Sequence, residues 1–132
     1  MIVVDTSALM AILLDEPEAK QFLRIILTSP PAWIGAPTLL EFSIVTARDR
    51  IGDPAKRVAK LVSSLSLEVA AWDAIHVDFA RAAFLQFGKG RHPAKLNFGD
   101  CMSYALAKSL GAPLLYKGGD FAQTDIRSAA AR

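Results

Sequence analysis

Four carboxylates in this chain stand in contexts that a solvated surface does not explain. Asp5 ends the apolar run "MIVVD" and is followed directly by two hydroxyl residues, Thr6 and Ser7. Glu41 lies in "PTLLEFSIV", flanked by Leu39, Leu40, Phe42, Ile44 and Val45, so its helix is apolar around nearly the whole circumference. A cation three or four residues away would neutralise it locally, but those positions are Pro37, Thr38, Ile44 and Val45. A buried, uncompensated carboxylate costs several kcal/mol or takes up a proton. Asp100 opens a helix after "NFG", where it could serve as an N-cap against the positive end of the dipole. Asp120 follows "PLLYKGG". If the four shared a pocket they would repel and raise one another's pKa values. A hard divalent cation, Mg²⁺ or Mn²⁺, relieves that repulsion because it prefers oxygen ligands. Two such ions about 3.5–4 Å apart can bridge a phosphodiester, activate water and stabilise the departing oxygen. The chemistry in question is therefore metal-assisted phosphodiester hydrolysis, without a covalent intermediate on the acids.

The elements that must bring these groups together alternate in type. "IVV" reads as a short buried strand, rich in β-branched residues. "SALMAILL" and "EPEAKQFLRIIL" carry helical character, with Pro17 at a tolerated early position. Ala32 to Ile34 form a second strand after a Pro-punctuated turn, and a helix opened by Pro37 closes near Gly52. "DPAKRVAKLVSSL" begins with a helix start signal and sets Val58, Leu61, Val62 and Leu65 on one face. "LEVAAW" is a weak third strand. Ile75, Phe79, Ala83 and Phe87 predict a helix face ending at glycine. In "DCMSYALAKSLG", Met102, Ala105, Leu106 and Ser109 point inward. "APLLY" reads as an internal strand, and "FAQTDI" as a last short strand before a frayed Ala-rich tail. Strands separated by helices imply right-handed crossovers and a mainly parallel sheet between helical layers. Sites in such sheets form outside the carboxyl ends of the strands, where Asp5 and Asp120 both fall.

Bulk properties narrow the setting. The chain has 132 residues, a single-domain length for residues 1–132. It is 52% hydrophobic with mean hydropathy +0.30, which fits a dense core and apolar surface covered by a partner. A net charge of +2 does not by itself announce nucleic acid. One cysteine, Cys101, excludes an internal disulfide and fits a reducing, cytoplasmic setting. No secretory signal or membrane-spanning run is visible.

Taken in order, "IVVDTSAL", "PTLLEFSIVTAR", "LNFGDCMSYALAK" and "LLYKGGDF" resemble the acidic motifs of the PIN domain, and more closely those of VapC-type toxins of VapBC toxin–antitoxin pairs. The resemblance covers nearly the whole chain. It implies a PIN-like three-layer α/β sandwich and Mg²⁺- or Mn²⁺-dependent endonucleolytic cleavage of RNA. It implies that Asp5, Glu41, Asp100 and Asp120 are catalytic and hold the metal, with Ser7 supporting Asp5 through hydrogen bonds. It further implies a homodimer and a cognate VapB-type antitoxin whose C-terminal segment lies over the active-site groove. One departure stands out: the family turn often reads Gly-Asn-Asp-Phe, whereas Gly119 precedes Asp120 here.

Other features rank lower. His76 and His92 read as ordinary surface residues rather than general bases, and Cys101 as a small buried hydrophobe. Arg48, Arg50, Lys56, Arg57 and Lys60 form one basic stretch; Lys89, Arg91, His92 and Lys95 form a second, in a loop suited to phosphate contacts. Trp33 and Trp72 read as core, and Asp125 as an acid that faces away or caps a turn. Two competing functions are a non-catalytic PIN-like module that binds RNA or protein, and a phosphatase with Asp5 as nucleophile. The second wants another Asp two positions after Asp5, where Ser7 stands.

Overall fold

The computed structural model describes residues 1–49 and 52–130. Among these residues four strands, β1 (Ile2–Val4), β2 (Ala32–Gly35), β3 (Leu67–Ala70) and β4 (Leu114–Leu115), form a parallel sheet in the order β3-β2-β1-β4. Among the described residues, six helices fill the crossovers: α1 (Thr6–Leu13), α2 (Ala19–Thr28), α3 (Ala36–Arg48), α4 (Pro54–Ser64), α5 (Ala74–Phe87) and α6 (Phe98–Leu110). The α/β sandwich expected from the sequence is therefore present.

β1 shows how three residues can organise two cores. Successive strand side chains face opposite ways. Ile2 and Val4 enter one cluster with Leu9, Phe22 and Phe42, while Val3 enters the other with Leu106 and Leu114. Helices α1 to α4 supply the first layer, and α5 and α6 supply the second. β1 is paired on both sides, aligning Ile2 with Ala32 and Val3 with Leu114. Its last residue therefore emerges at the middle of the sheet edge.

Several expectations need correction. The N-terminal helical stretch is two helices, broken where Asp15 takes a left-handed backbone (φ 50°), with Pro17 in the connection. α3 ends at Arg48, before Gly52. On α5, Ala83 and Phe87 are buried but Ile75 is exposed, because the C-terminal half of that helix makes the packed contact, with Ala80 alongside. β4 is an edge strand rather than an internal one. "FAQTDI" forms a 3-10 turn at Phe121–Gln123 in place of a strand; the Thr124 hydroxyl bonds back to the Phe121 carbonyl at 2.7 Å and competes with ladder pairing. A lone bridge between Leu114 and Ser128 remains. Ala129 and Ala130 pack on the core instead of fraying.

Candidate active site

Asp5 is buried, 4% exposed, at the turn from β1 into α1. Its backbone N–H still belongs to the sheet, donating to the Leu115 carbonyl at 2.9 Å. Its side chain caps α1, accepting from the Ser7 N–H at 3.0 Å and the Ser7 hydroxyl at 2.6 Å, both on Oδ2. The other oxygen, Oδ1, accepts from the Ser103 hydroxyl on α6 at 2.5 Å. These bonds fill three of about four lone-pair sites on the carboxylate. Asp5 is thus fixed in orientation with little acceptor capacity left.

The two hydroxyls after Asp5 divide their work. Ser7 holds Asp5 and also accepts from the Lys117 N–H at 3.0 Å, tying α1 to the chain leaving β4. Thr6 instead turns toward α3, donating to Glu41 Oε1 at 2.6 Å. Glu41 is half-buried, and its flanking residues Leu40 and Ile44 are exposed, so α3 is not enclosed all round as its sequence suggested. Burial, partly offset by the Thr6 bond, and the neighbouring Asp5 charge raise the Glu41 pKa. The ion pair that could have explained this acid does not form among the described residues.

α6 brings the third acid. Asn97, not Asp100, is the N-cap: its side chain accepts from the Asp100 N–H at 2.9 Å. Asp100 occupies the third helical position and returns the bond, accepting from the Asn97 N–H at 3.0 Å on Oδ2. This capping box leaves Oδ1 open. The first turn of α6 also closes on α3, since a Cβ at buried Gly99 would overlap the Glu41 carboxylate. Burial pushes the Asp100 pKa up to about 6, the Asn97 bond opposes it, and the charges of Asp5, Asp120 and Glu41 add to it. All three other acids are therefore close enough to be felt at Asp100.

Asp120 is exposed, beyond a turn in which Gly118 takes φ 102°, a conformation that favours glycine. Gly119, the departure from the family turn, borders open space. None of the four acids forms a salt bridge among the described residues. Lys117 is turned away from them, its Nζ held by Glu16 at 2.9 Å and Glu18 at 3.4 Å. The donor set is carboxylates with no basic side chain paired to them among the described residues, and the pKa values of Glu41 and Asp100 are raised, a chemistry that suits a hard cation. The site is not ready-made, because no three Asp, Glu, His or Cys side chains among the described residues stand close enough to ligate one ion together. Glu41 Oε2, Asp100 Oδ1 and the Asp120 oxygens accept no hydrogen bond among the described residues and are the atoms a cation would draw together.

Sequence reasoning did not single out Ser103, and it did not pair Thr6 with Glu41. The available signal for Ser103 was its place three residues after Asp100, on the same helix face. His76 and His92 are not plain surface residues. His76 Nδ1 accepts from the Asp73 N–H at 3.0 Å and completes the α5 cap, and His92 Nδ1 accepts from the Ala94 N–H at 3.0 Å. Cys101 is buried, and burial followed by the Asp100 charge pushes its thiol to about 11. Trp33 and Trp72 are half-buried. In the basic stretches, Arg48, Lys56, Arg57, Lys60, Lys89, Arg91 and Lys95 are exposed, and Arg50 lies outside the described residues.

The family model of the PIN domain matches residues 2–127 of this chain. Among relatives, the chain is 46% identical over 125 residues to Ribonuclease VapC of Mycolicibacterium smegmatis, covering 94% of this chain and 96% of that one. It is 43% identical over 129 residues to Ribonuclease VapC30 of Mycobacterium tuberculosis, covering 97% and 98%. The fold is similar to that of VapC20 of M. tuberculosis, described as a sarcin–ricin loop cleaving toxin, with TM-score 0.75, 21% identity and 96% of each chain covered. It also resembles a chain of a toxin–antitoxin complex from Klebsiella pneumoniae, at TM-score 0.71 and 19% identity, covering 95% of this chain and 93% of that one. The chain belongs to the PIN-domain family, in its VapC ribonuclease branch. Among the described residues no helix is long and apolar enough to cross a membrane.

Proposed function

We propose that this protein is an endoribonuclease that depends on Mg²⁺ or Mn²⁺ and acts as the toxin of a toxin–antitoxin pair. The observation that carries the reading is the group of four acids around Asp100 without a neutralising side chain among the described residues. Asp5, Glu41, Asp100 and Asp120 would hold the cation. When bound, it would supply an activated water and charge neutralisation at the phosphodiester.

The chain's own residues prepare that role. Ser7 and Ser103 lock the Asp5 carboxylate so that one direction remains open. Thr6 holds Glu41 against Gly99, with its second oxygen toward α6. The cap at Asn97 orients Asp100, and the raised pKa of that group makes its ionisation sensitive to a nearby cation. Basic residues of the 89–95 loop are suited to the phosphates of an RNA substrate.

Two partners are part of the reading. A VapB-type antitoxin is supported by the likeness to the Klebsiella toxin–antitoxin complex. A homodimer is supported by exposed apolar residues on α3, α5 and α6, with Leu40 61% and Phe98 70% exposed.

The test is cleavage of total cellular RNA by purified, antitoxin-free protein, with Mg²⁺ or Mn²⁺ and with EDTA, wild type beside Asp5→Asn. Metal-dependent cutting that the variant lacks is the expected result. A folded wild type that binds RNA but does not cut it in either metal would overturn the enzyme reading in favour of a binding module.

A further inference from the structure

Tyr104 and Lys108 follow Asp100 by four and eight residues on α6, so the three side chains lie along one stripe of that helix. The two lower members grip a single carboxylate. Tyr104 Oη donates to Asp125 Oδ1 at 2.5 Å, and Lys108 Nζ donates to Asp125 Oδ2 at 2.8 Å. Burial raises the Asp125 pKa, but the bonds from Lys108 and Tyr104 outweigh it and hold the carboxyl below its usual range. Asp125 is therefore an anion across the neutral range. Burial and the bond to Asp125 push the Tyr104 phenol upward, so it remains a donor.

Asp125 lies five residues after Asp120, and the chain between them is a bonded unit. The Gln123 N–H donates to the Asp120 carbonyl at 3.2 Å and the Thr124 N–H to the Phe121 carbonyl at 3.0 Å. The Thr124 hydroxyl closes on the same Phe121 carbonyl, and the Ile126 N–H donates to the Thr124 hydroxyl oxygen at 3.2 Å. Phe121 and Ile126 are buried and press this unit onto the core. Apolar burial is non-directional; the chain beyond the turn is tied to β4, where the Leu114 N–H donates to the Arg127 carbonyl and the Ala129 N–H to the Leu114 carbonyl, both at 2.9 Å. Two charge-assisted bonds of defined direction to both oxygens of one carboxylate add a tie from the turn itself to α6, nearer Asp120 than the β4 bonds.

We propose that Tyr104, Asp125 and Lys108 form a clamp that positions Asp120 against Asp100, making all three positioning residues for the acid site. The inference rests on the metal-site reading given above. None of the three needs to touch metal or substrate; their effect passes through the placement of Asp120.

The experiment is Mn²⁺ titration by calorimetry on the full chain without RNA, alongside thermal unfolding in EDTA. The variants are Tyr104→Phe, which keeps the ring, and Lys108→Met at a part-exposed position, each in the wild-type and Asp120→Asn backgrounds. Each is expected to weaken Mn²⁺ binding about tenfold, in the range seen for outer-shell partners of metal sites. In the Asp120→Asn background each should change affinity little, because the group they position no longer contributes. Unchanged Mn²⁺ affinity with a lowered EDTA midpoint would make the clamp purely structural and overturn the proposal. Equal losses in both backgrounds would also overturn it. A wild type that binds no divalent ion would instead remove the metal site itself, and the clamp proposal with it.

Discussion

Gly99→Ala separates stability from function at this site, and its outcome can be worked out in advance. Gly99 is buried in the first turn of α6, where a Cβ would occupy the space of the Glu41 carboxylate. The overlap is with the far end of a flexible side chain, so Glu41 rotates away and the backbone stays. Rotation breaks the 2.6 Å bond from Thr6, and a hydrogen bond to a charged group contributes about 1.5–3 kcal/mol. Part of that returns as hydration, because burial already disfavours the Glu41 anion. Replacing glycine by alanine in a helix adds up to about 1 kcal/mol. The terms nearly cancel, so the thermal midpoint should stay within roughly 5 °C of wild type. Function should not survive as well: with Glu41 displaced, Mn²⁺ affinity and RNA cleavage should each fall about 10- to 100-fold. Calorimetric titration, a cleavage time course and a thermal melt on one preparation decide it. Wild-type affinity and cleavage in a folded Gly99→Ala variant would refute the idea that Glu41 must be held against α6. A stability loss above about 3 kcal/mol would show that Glu41 cannot turn out of the way.

Two further outcomes follow from the same geometry. With Asp100 held at about 6 in the folded chain, against about 3.9 for a free Asp, the folded state binds more protons than the unfolded one between those values. Stability in EDTA should therefore fall as pH rises from about 4 to 6, Asp100→Asn should flatten the slope, and a midpoint that rises across this window would contradict it. Under the proposed dimer, Phe98→Asp, at a 70% exposed position, should yield a folded monomer in sedimentation velocity with a lower thermal midpoint that no longer depends on protein concentration; a variant that stays dimeric would place the self-association surface elsewhere.

Much of this was legible in residue types and order. β-branched "IVV" ending in Asp5, the absence of a local cation around Glu41, and the alternation of strand and helix signals are local properties, fixed by side-chain chemistry and periodicity. They were enough for a parallel sheet with acids at its carboxyl edge. The sequence also marked Asp100 as a helix-start residue, but not that Asn97 would take the cap, since both residue types serve and only the backbone decides which one stands outside the helix. Ser7 supports Asp5 as expected, but the sequence did not show that Thr6 would serve Glu41 instead. Adjacent residues at a strand-to-helix turn point in different directions, and their distant partners, Glu41 for Thr6 and the Lys117 N–H for Ser7, lie 35 and 110 residues away.

The misreadings have a common origin. Ile75, Leu40 and Ile44 have the apolar character of core but stand exposed, because periodicity defines a helix face without saying what covers it. "FAQTDI" has strand-like composition, yet the Thr124 hydroxyl and the Asp125 carboxylate found partners that a ladder would have denied them. The sequence by itself determined which groups could do chemistry and on which kind of element each would ride. Tertiary structure alone decided their spacing, their hydrogen-bond partners and their proton affinities, because those depend on distances between segments that the chain brings together only when the sheet closes around β1.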